Sequence, residues 1–406
     1  MKLSKLFIGM SLAAFSTLSV AEINLDDYDA NLTLKAKGGF YSDRAVYNTA
    51  GRETQIWKMT NVTIGLDIKQ KEGNWGGKVE LVPLGDEVKR EPGDAAYFDY
   101  YKNLGTDILY YGDYPLGEAL VYYHGDNSNW RIGRMVNIHG FDLESLPYSN
   151  RHEAPHSVYM DKELLTGVHY NYTIKGLGVD VAVLNGRGRP NSDYNFYLNG
   201  QTDPNTKGNN TPILETKLSY GGSVGDFEGL AFASYHYNKT GSAPGSLYSG
   251  KHNDNRMAVG AHVKYNFDKW IDSVELFGQY SQYTVGLTED GVQKDRTPLA
   301  SKNFDKNAWF VTPVLNITDK LSLQYTYEEM DRIDAKVWDE VAGFNENHPS
   351  LETTETNSIY SVKYKINDNV KANLFYSTPE NPYESVSNIN LAEGSDKFGL
   401  VVEAEF

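Results

Sequence analysis

The sequence predicts an all-β fold: a closed antiparallel barrel that crosses a membrane on about sixteen strands. Three observations carry that expectation. Apolar residues recur at every second position along most of the chain, the period of a strand with two unlike faces. The 406 residues include 30 Tyr, 16 Phe, 6 Trp and 37 Gly, a mixture suited to pleated strands and tight turns. Mean hydropathy is −0.52, and beyond the N-terminal stretch no apolar run nears the roughly 20 residues a spanning helix needs.

At the N-terminus, Lys2 and Lys5 precede an apolar stretch from Leu6 to Leu18 and the small-residue end Ser19-Val20-Ala21. This is the form of a cleaved export signal, so residues 1–21 are expected to be removed and 22–406 to form one domain. The chain carries 54 acidic against 38 basic side chains, which argues against nucleic acid as a partner. It has no cysteine, so no disulfide framework supports it outside the cytoplasm.

Along the chain the alternation is clearest in Val62/Ile64/Leu66/Ile68, then Leu164/Thr166/Val168/Tyr170/Tyr172/Ile174, then Met257/Val259/Ala261/Val263/Tyr265/Phe267. It continues in Leu321/Leu323/Tyr325/Tyr327, Tyr360/Val362/Tyr364/Ile366 and Val370/Ala372/Leu374/Tyr376. The interleaved residues are mostly small, polar or charged. A water-soluble sandwich also alternates. Against it, the apolar rows end in aromatics at the turns, as in Tyr265/Phe267/Trp270, where an aromatic girdle belongs.

Short connections fall near 71–74, 125–129, 175–178, 221–228, 268–269, 318–320 and 367–369, most with Asn, Asp or Gly. Long polar ones fall near 43–56, 84–116, 137–162, 186–211, 239–255, 284–306, 329–356 and 378–396. Seven short and eight long connections join sixteen strands, an even number that puts both termini on the short-turn side. Eighteen strands is the alternative, with the extra hairpin hidden in the tyrosine-rich 84–116. The last strand places Phe398, Leu400, Val402, Ala404 and Phe406 on one face. An amphipathic C-terminal strand with a terminal aromatic resembles the assembly signal of outer-membrane barrels.

A sixteen-stranded lumen admits water, so passage of solutes is the expected function, and whatever narrows the lumen sets selectivity. The third long loop is the candidate. It follows Trp130-Arg131-Ile132-Gly133-Arg134 and runs through Gly140-Phe141-Asp142-Leu143-Glu144 and Arg151-His152-Glu153. With Gly167-Val168-His169-Tyr170 and the strand ending at 181–186, this stretch resembles the Gram-negative general porins, in which a strand ending in Gly-Arg leads into a loop folded inside the barrel. The family's frequent Pro-Glu-Phe-Gly-Gly run is missing. The resemblance implies a constriction with loop carboxylates facing basic wall residues. Asp142, Glu144 and Glu153 are the acidic candidates. Arg134, Lys78, Lys363 and Lys371 are the basic ones, Arg134 first, with Lys217, Lys264 and Lys365 also lumenal by alternation. The alternative for each lysine is an ordinary solvated position away from the constriction.

His152-Glu153-Ala154-Pro155-His156 matches the His-Glu-x-x-His pattern of zinc proteases. That chemistry needs both histidines on one face of a helix, and Pro155 disfavours a helix through Ala154. Asn185-Gly186-Arg187-Gly188-Arg189 is no phosphate loop, because no Lys-Ser/Thr follows. No enzyme activity, cofactor or metal is expected. The resemblance implies a trimeric diffusion channel for small hydrophilic solutes and ions in the bacterial outer membrane. Acidic outer loops would meet lipopolysaccharide through divalent cations. The alternatives are an oligosaccharide-specific channel, with Tyr97–Tyr114, Trp338 or Phe375 stacking on sugar rings, or a barrel enzyme or adhesin.

Overall fold

The computed structural model describes residues 27–43, 54–84, 116–148, 154–155, 158, 164–184, 212–241, 251–267, 270–287, 303–331, 354–380 and 397–406. Sixteen strands run in order: β1 Tyr28–Asp43, β2 Thr54–Gln70, β3 Trp75–Leu84, β4 Leu116–His124, β5 Ser128–Val136, β6 Leu164–Ile174, β7 Leu177–Leu184 and β8 Ile213–Val224. Then come β9 Phe227–Gly241, β10 Lys251–Asn266, β11 Ser273–Leu287, β12 Asn303–Asn316, β13 Leu321–Asp331, β14 Thr354–Lys365, β15 Val370–Glu380 and β16 Lys397–Glu405. Each pairs antiparallel with its sequence neighbours, and β16 pairs with β1 to close the barrel. The strand count is therefore sixteen. The eighteen-strand alternative fails because β3 bonds directly to β4, leaving no gap in the wall for another hairpin.

The barrel is inside out by the standards of a soluble protein. Val168, Val183, Leu218, Tyr360 and Leu374 face outward and are exposed, while Glu215, His236, Thr326 and Glu328 face inward and are buried. So large an apolar exterior aggregates in water and needs lipid to cover it. Near the short turns the outward row turns aromatic. Trp75 lies 5.1 Å from Tyr123, and Tyr265 lies 4.7 Å from Phe267. The mixed faces expected from period two are thus resolved: the apolar set is the outer one.

Two short turns show their backbone chemistry. Lys175 and Gly176 both have positive φ (49° and 82°), the type I′ pattern that matches strand twist in a two-residue hairpin. Between β8 and β9, Gly225 (φ 59°) is followed by Asp226, placing glycine at the first central position as a II′ turn requires.

Inside the wall, three aromatic side chains lie over a glycine directly across the ladder: Tyr122 over Gly76, Phe232 over Gly260, and Phe375 over Gly399. Any Cβ at these glycines would meet the ring. Small opposite large lets a ring lie flat on the wall instead of standing into the lumen.

Candidate functional site

The chain leaving β5 turns against the inner wall. Asn137 Nδ2 and the Ile138 amide donate to the Glu215 carboxylate, each at 2.9 Å. The Gly140 amide donates to Ser234 Oγ (3.0 Å), and the Phe141 amide donates to Gln279 Oε1 (3.1 Å). Farther on, Tyr148 OH and Thr312 Oγ1 share a hydrogen bond of 2.6 Å. Residues 137–148 are thereby fastened to inward side chains of β8, β9, β11 and β12. A short 3-10 turn, Leu143–Ser145, forms the middle of the segment.

Apolar contact adds to these bonds. Phe141 is 2% exposed, with ring centroids 4.7 Å from Phe232, 6.2 Å from Phe277 and 6.3 Å from Phe310. Leu146, Val158, Ala258 and Val314 complete the cluster. A hydrophobic core inside a barrel wall exists here only because a segment lies over it.

The acidic candidates separate. Asp142 accepts from Lys217 Nζ at 3.2 Å, and its own side chain is 71% exposed. Lys217 is buried beneath it, with Nζ 5.0 Å from the centre of the Phe232 ring. An ion pair this exposed on one side is worth about 0–1 kcal/mol. Glu144 is exposed on the 3-10 turn. Glu153 lies outside the described residues, as do His152 and His156.

The basic candidates do not converge. Lys78 faces inward and bridges Glu118 (2.8 Å) and Glu80 (2.9 Å). The other Glu118 oxygen takes the Val136 amide (3.1 Å), where β5 gives way to the loop. Lys363 is on an inward position of β14, opposite Ser322 and Asn373. Lys371 is exposed at the short-turn mouth, in a cavity of about 320 Å³ with Asp368, Glu403, Glu405 and Phe406. There the Lys365 ammonium, 2.8 Å from Asp368, holds that carboxyl below its ordinary range. Lys35 with Glu405 (3.2 Å) and Lys37 with Glu403 (3.3 Å) line the same end of the β1–β16 seam.

Arg134 requires a correction, because it is not lumenal. It sits opposite Ala119 and Thr166 with no shift in register, on the outward row with the exposed Trp130 and Ile132. Counting by two from Ile132 reaches Arg134, whereas the lumenal positions are Arg131 and Gly133. The inward arginine is Arg131. Its Nε donates to His169 Nδ1 (3.0 Å), so the His169 proton is on Nε2 and donates to Asp180 (2.9 Å). Asp180 also accepts from Asn171 (3.0 Å). Replacing Arg131 with Met leaves a buried acceptor unmet and is expected to cost about 1–3 kcal/mol, read as a lower urea midpoint of unfolding.

Sequence reasoning missed Glu215, His236 and Phe141. Glu215 had a usable signal, since Glu215 and Lys217 alternate with outward Leu214, Thr216 and Leu218. Phe141 had none, because its pocket is assembled from three strands far along the chain.

A closed sixteen-stranded barrel with an apolar exterior, a polar interior and a segment fastened across its inner wall has the architecture of the outer-membrane porins and channels. Among solved structures, the chain is similar to the outer membrane channel DcaP of Acinetobacter baumannii (TM-score 0.60, 14% identity, 96% of this chain and 100% of that one). It is also similar to an anion-selective porin from Comamonas acidovorans (0.54, 10%, 93% and 100%) and to the trimer form of OmpT, an outer membrane protein of Vibrio cholerae (0.53, 12%, 94% and 100%). Identities this low establish the shared fold. No protein-family model matches the sequence, and no curated protein matches it.

Proposed function

We propose that this chain is an outer-membrane porin, a water-filled channel through which small hydrophilic solutes and ions diffuse. The observation that carries the reading is the segment 137–148 lying on the charged inner wall of a sixteen-stranded barrel. A barrel of this size has room for an aqueous path, and a segment inside it narrows that path, so selectivity is set there. The exposed carboxylates of Asp142 and Glu144 favour cations at the narrowing. Cleavage after Ala21 places the chain outside the cytoplasm, and the short turns face the periplasm. Lipopolysaccharide surrounds the long loops, and three copies assemble. Catalysis has no part in this reading.

A diffusion channel is favoured over a sugar-specific one by the inner wall. Among the described residues, the inward rings of Tyr122, Phe232, Phe277, Phe310 and Phe375 are all buried, so these offer no stacking face to a passing sugar; Tyr97–Tyr114 and Trp338 lie outside the described residues. The test is single-channel conductance of the purified protein in a planar bilayer under a salt gradient. Steps in groups of three, a cation-selective reversal potential and no blockade by added oligosaccharides are expected. Discrete sugar blockades would replace the reading with a specific channel, and absence of conductance would end it.

A further inference from the structure

Glu215 is fully buried in the wall, yet it is a carboxylate among groups that have little access to water. Burying a charge is costly unless donors surround it. Three do: Asn137 Nδ2 and the Ile138 amide at 2.9 Å, and His236 Nδ1 at 2.6 Å. Two of the three belong to the lumenal segment, at its first residues after β5. The third comes from the directly opposed position of β9. His236 is itself fully buried, and among the described residues its Nε2 has no hydrogen-bond partner; its ring is held by the bond to Glu215 and by edge-to-face contact with His139 of the segment, centroids 6.0 Å apart. The wall therefore contains a carboxylate that is satisfied only while the segment is seated.

We propose that Glu215 is the positioning residue that sets the width of the channel, by fastening the root of segment 137–148 to β8. The inference rests on the channel reading but is tested separately from it. Unseating the root strands a buried carboxylate with only His236 beside it, a penalty the seated state avoids. This makes seating close to all-or-none. Glu215 touches no solute and acts only through the position of the segment.

The chain has no cysteine, so two introduced thiols can be labelled cleanly. Spin labels at Glu144→Cys, on the exposed 3-10 turn, and at Asn369→Cys, in an exposed short turn, report the distance from segment to mouth. In the otherwise native chain one narrow distance is expected. Glu215→Leu, close in size but without acceptors, should broaden that distance and admit larger sugars in liposome swelling. Glu215→Gln should keep the narrow distance, since its carbonyl oxygen still accepts from Ile138 and its amide can pair with Asn137 and His236 after a flip and a change of tautomer. Unheated gel mobility checks that each variant forms the barrel. A narrow, unchanged distance in folded Glu215→Leu would overturn the proposal, as would equal broadening in both variants. The distances decide this whether or not the protein conducts, so a failure of the channel reading is seen separately, in the conductance.

Discussion

Truncating Phe141 to Ala is expected to free the lumenal segment while leaving the barrel folded. Phe141 is nearly inaccessible and contacts rings from β9, β11 and β12. Removing a buried phenylalanine ring costs about 3–5 kcal/mol, whereas each neutral hydrogen bond of the segment contributes about 0.5–1.5 kcal/mol. The loss falls on seating and not on the barrel, because the ladder bonds of the wall do not involve residue 141. Liposome swelling with sugars of increasing size should show a higher size limit and bilayer recordings a noisier open state, with unheated gel mobility unchanged. An unchanged size limit would mean that the ring does not anchor the segment. Loss of the folded band would mean that the segment is part of the barrel's own stability.

The other large effect is expected at the seam. Gly39 of β1 pairs with Val401 of β16, and any Cβ there would run into the Leu400 carbonyl. That obstacle is backbone and cannot rotate away, so Gly39→Val forces the last pair of strands apart where the barrel closes. In lipid an open edge leaves several backbone groups unpaired, each costing several kcal/mol. The variant is expected to lose the folded band on unheated gels and to remain urea-sensitive after refolding into detergent. Gly222, where an added methyl would have nothing within 4 Å, is the control: Gly222→Ala should fold as the parent does. A Gly39→Val barrel that folds and resists urea normally would show that the seam adjusts by sliding.

Most strand limits and the alternation of faces were legible because each is written locally, whereas the choice of sixteen over eighteen strands waited on the direct pairing of β3 with β4. A period of two needs only neighbouring residues, and the turn at Lys175-Gly176 is specified by residues within the turn. Even the outward facing of Arg134 was present in the sequence, two positions beyond Ile132. Counting the alternation from the wrong row put it in the lumen, and the Gly-Arg resemblance ranked it first. Glu215 was legible as an inward acidic residue but not as a fastener, since nothing in β8 names Asn137 or Ile138 as its partners.

By itself, then, the sequence determined a membrane barrel of sixteen or eighteen strands with a polar interior, because period and turn chemistry act over a few residues at a time. Only the tertiary structure decided where segment 137–148 lies and which charges meet. Its contacts join residues as far apart as Tyr148 and Thr312, 164 positions along the chain. Such pairings depend on the curvature of the closed wall, which brings β8, β9, β11 and β12 around one segment, and no local pattern encodes that.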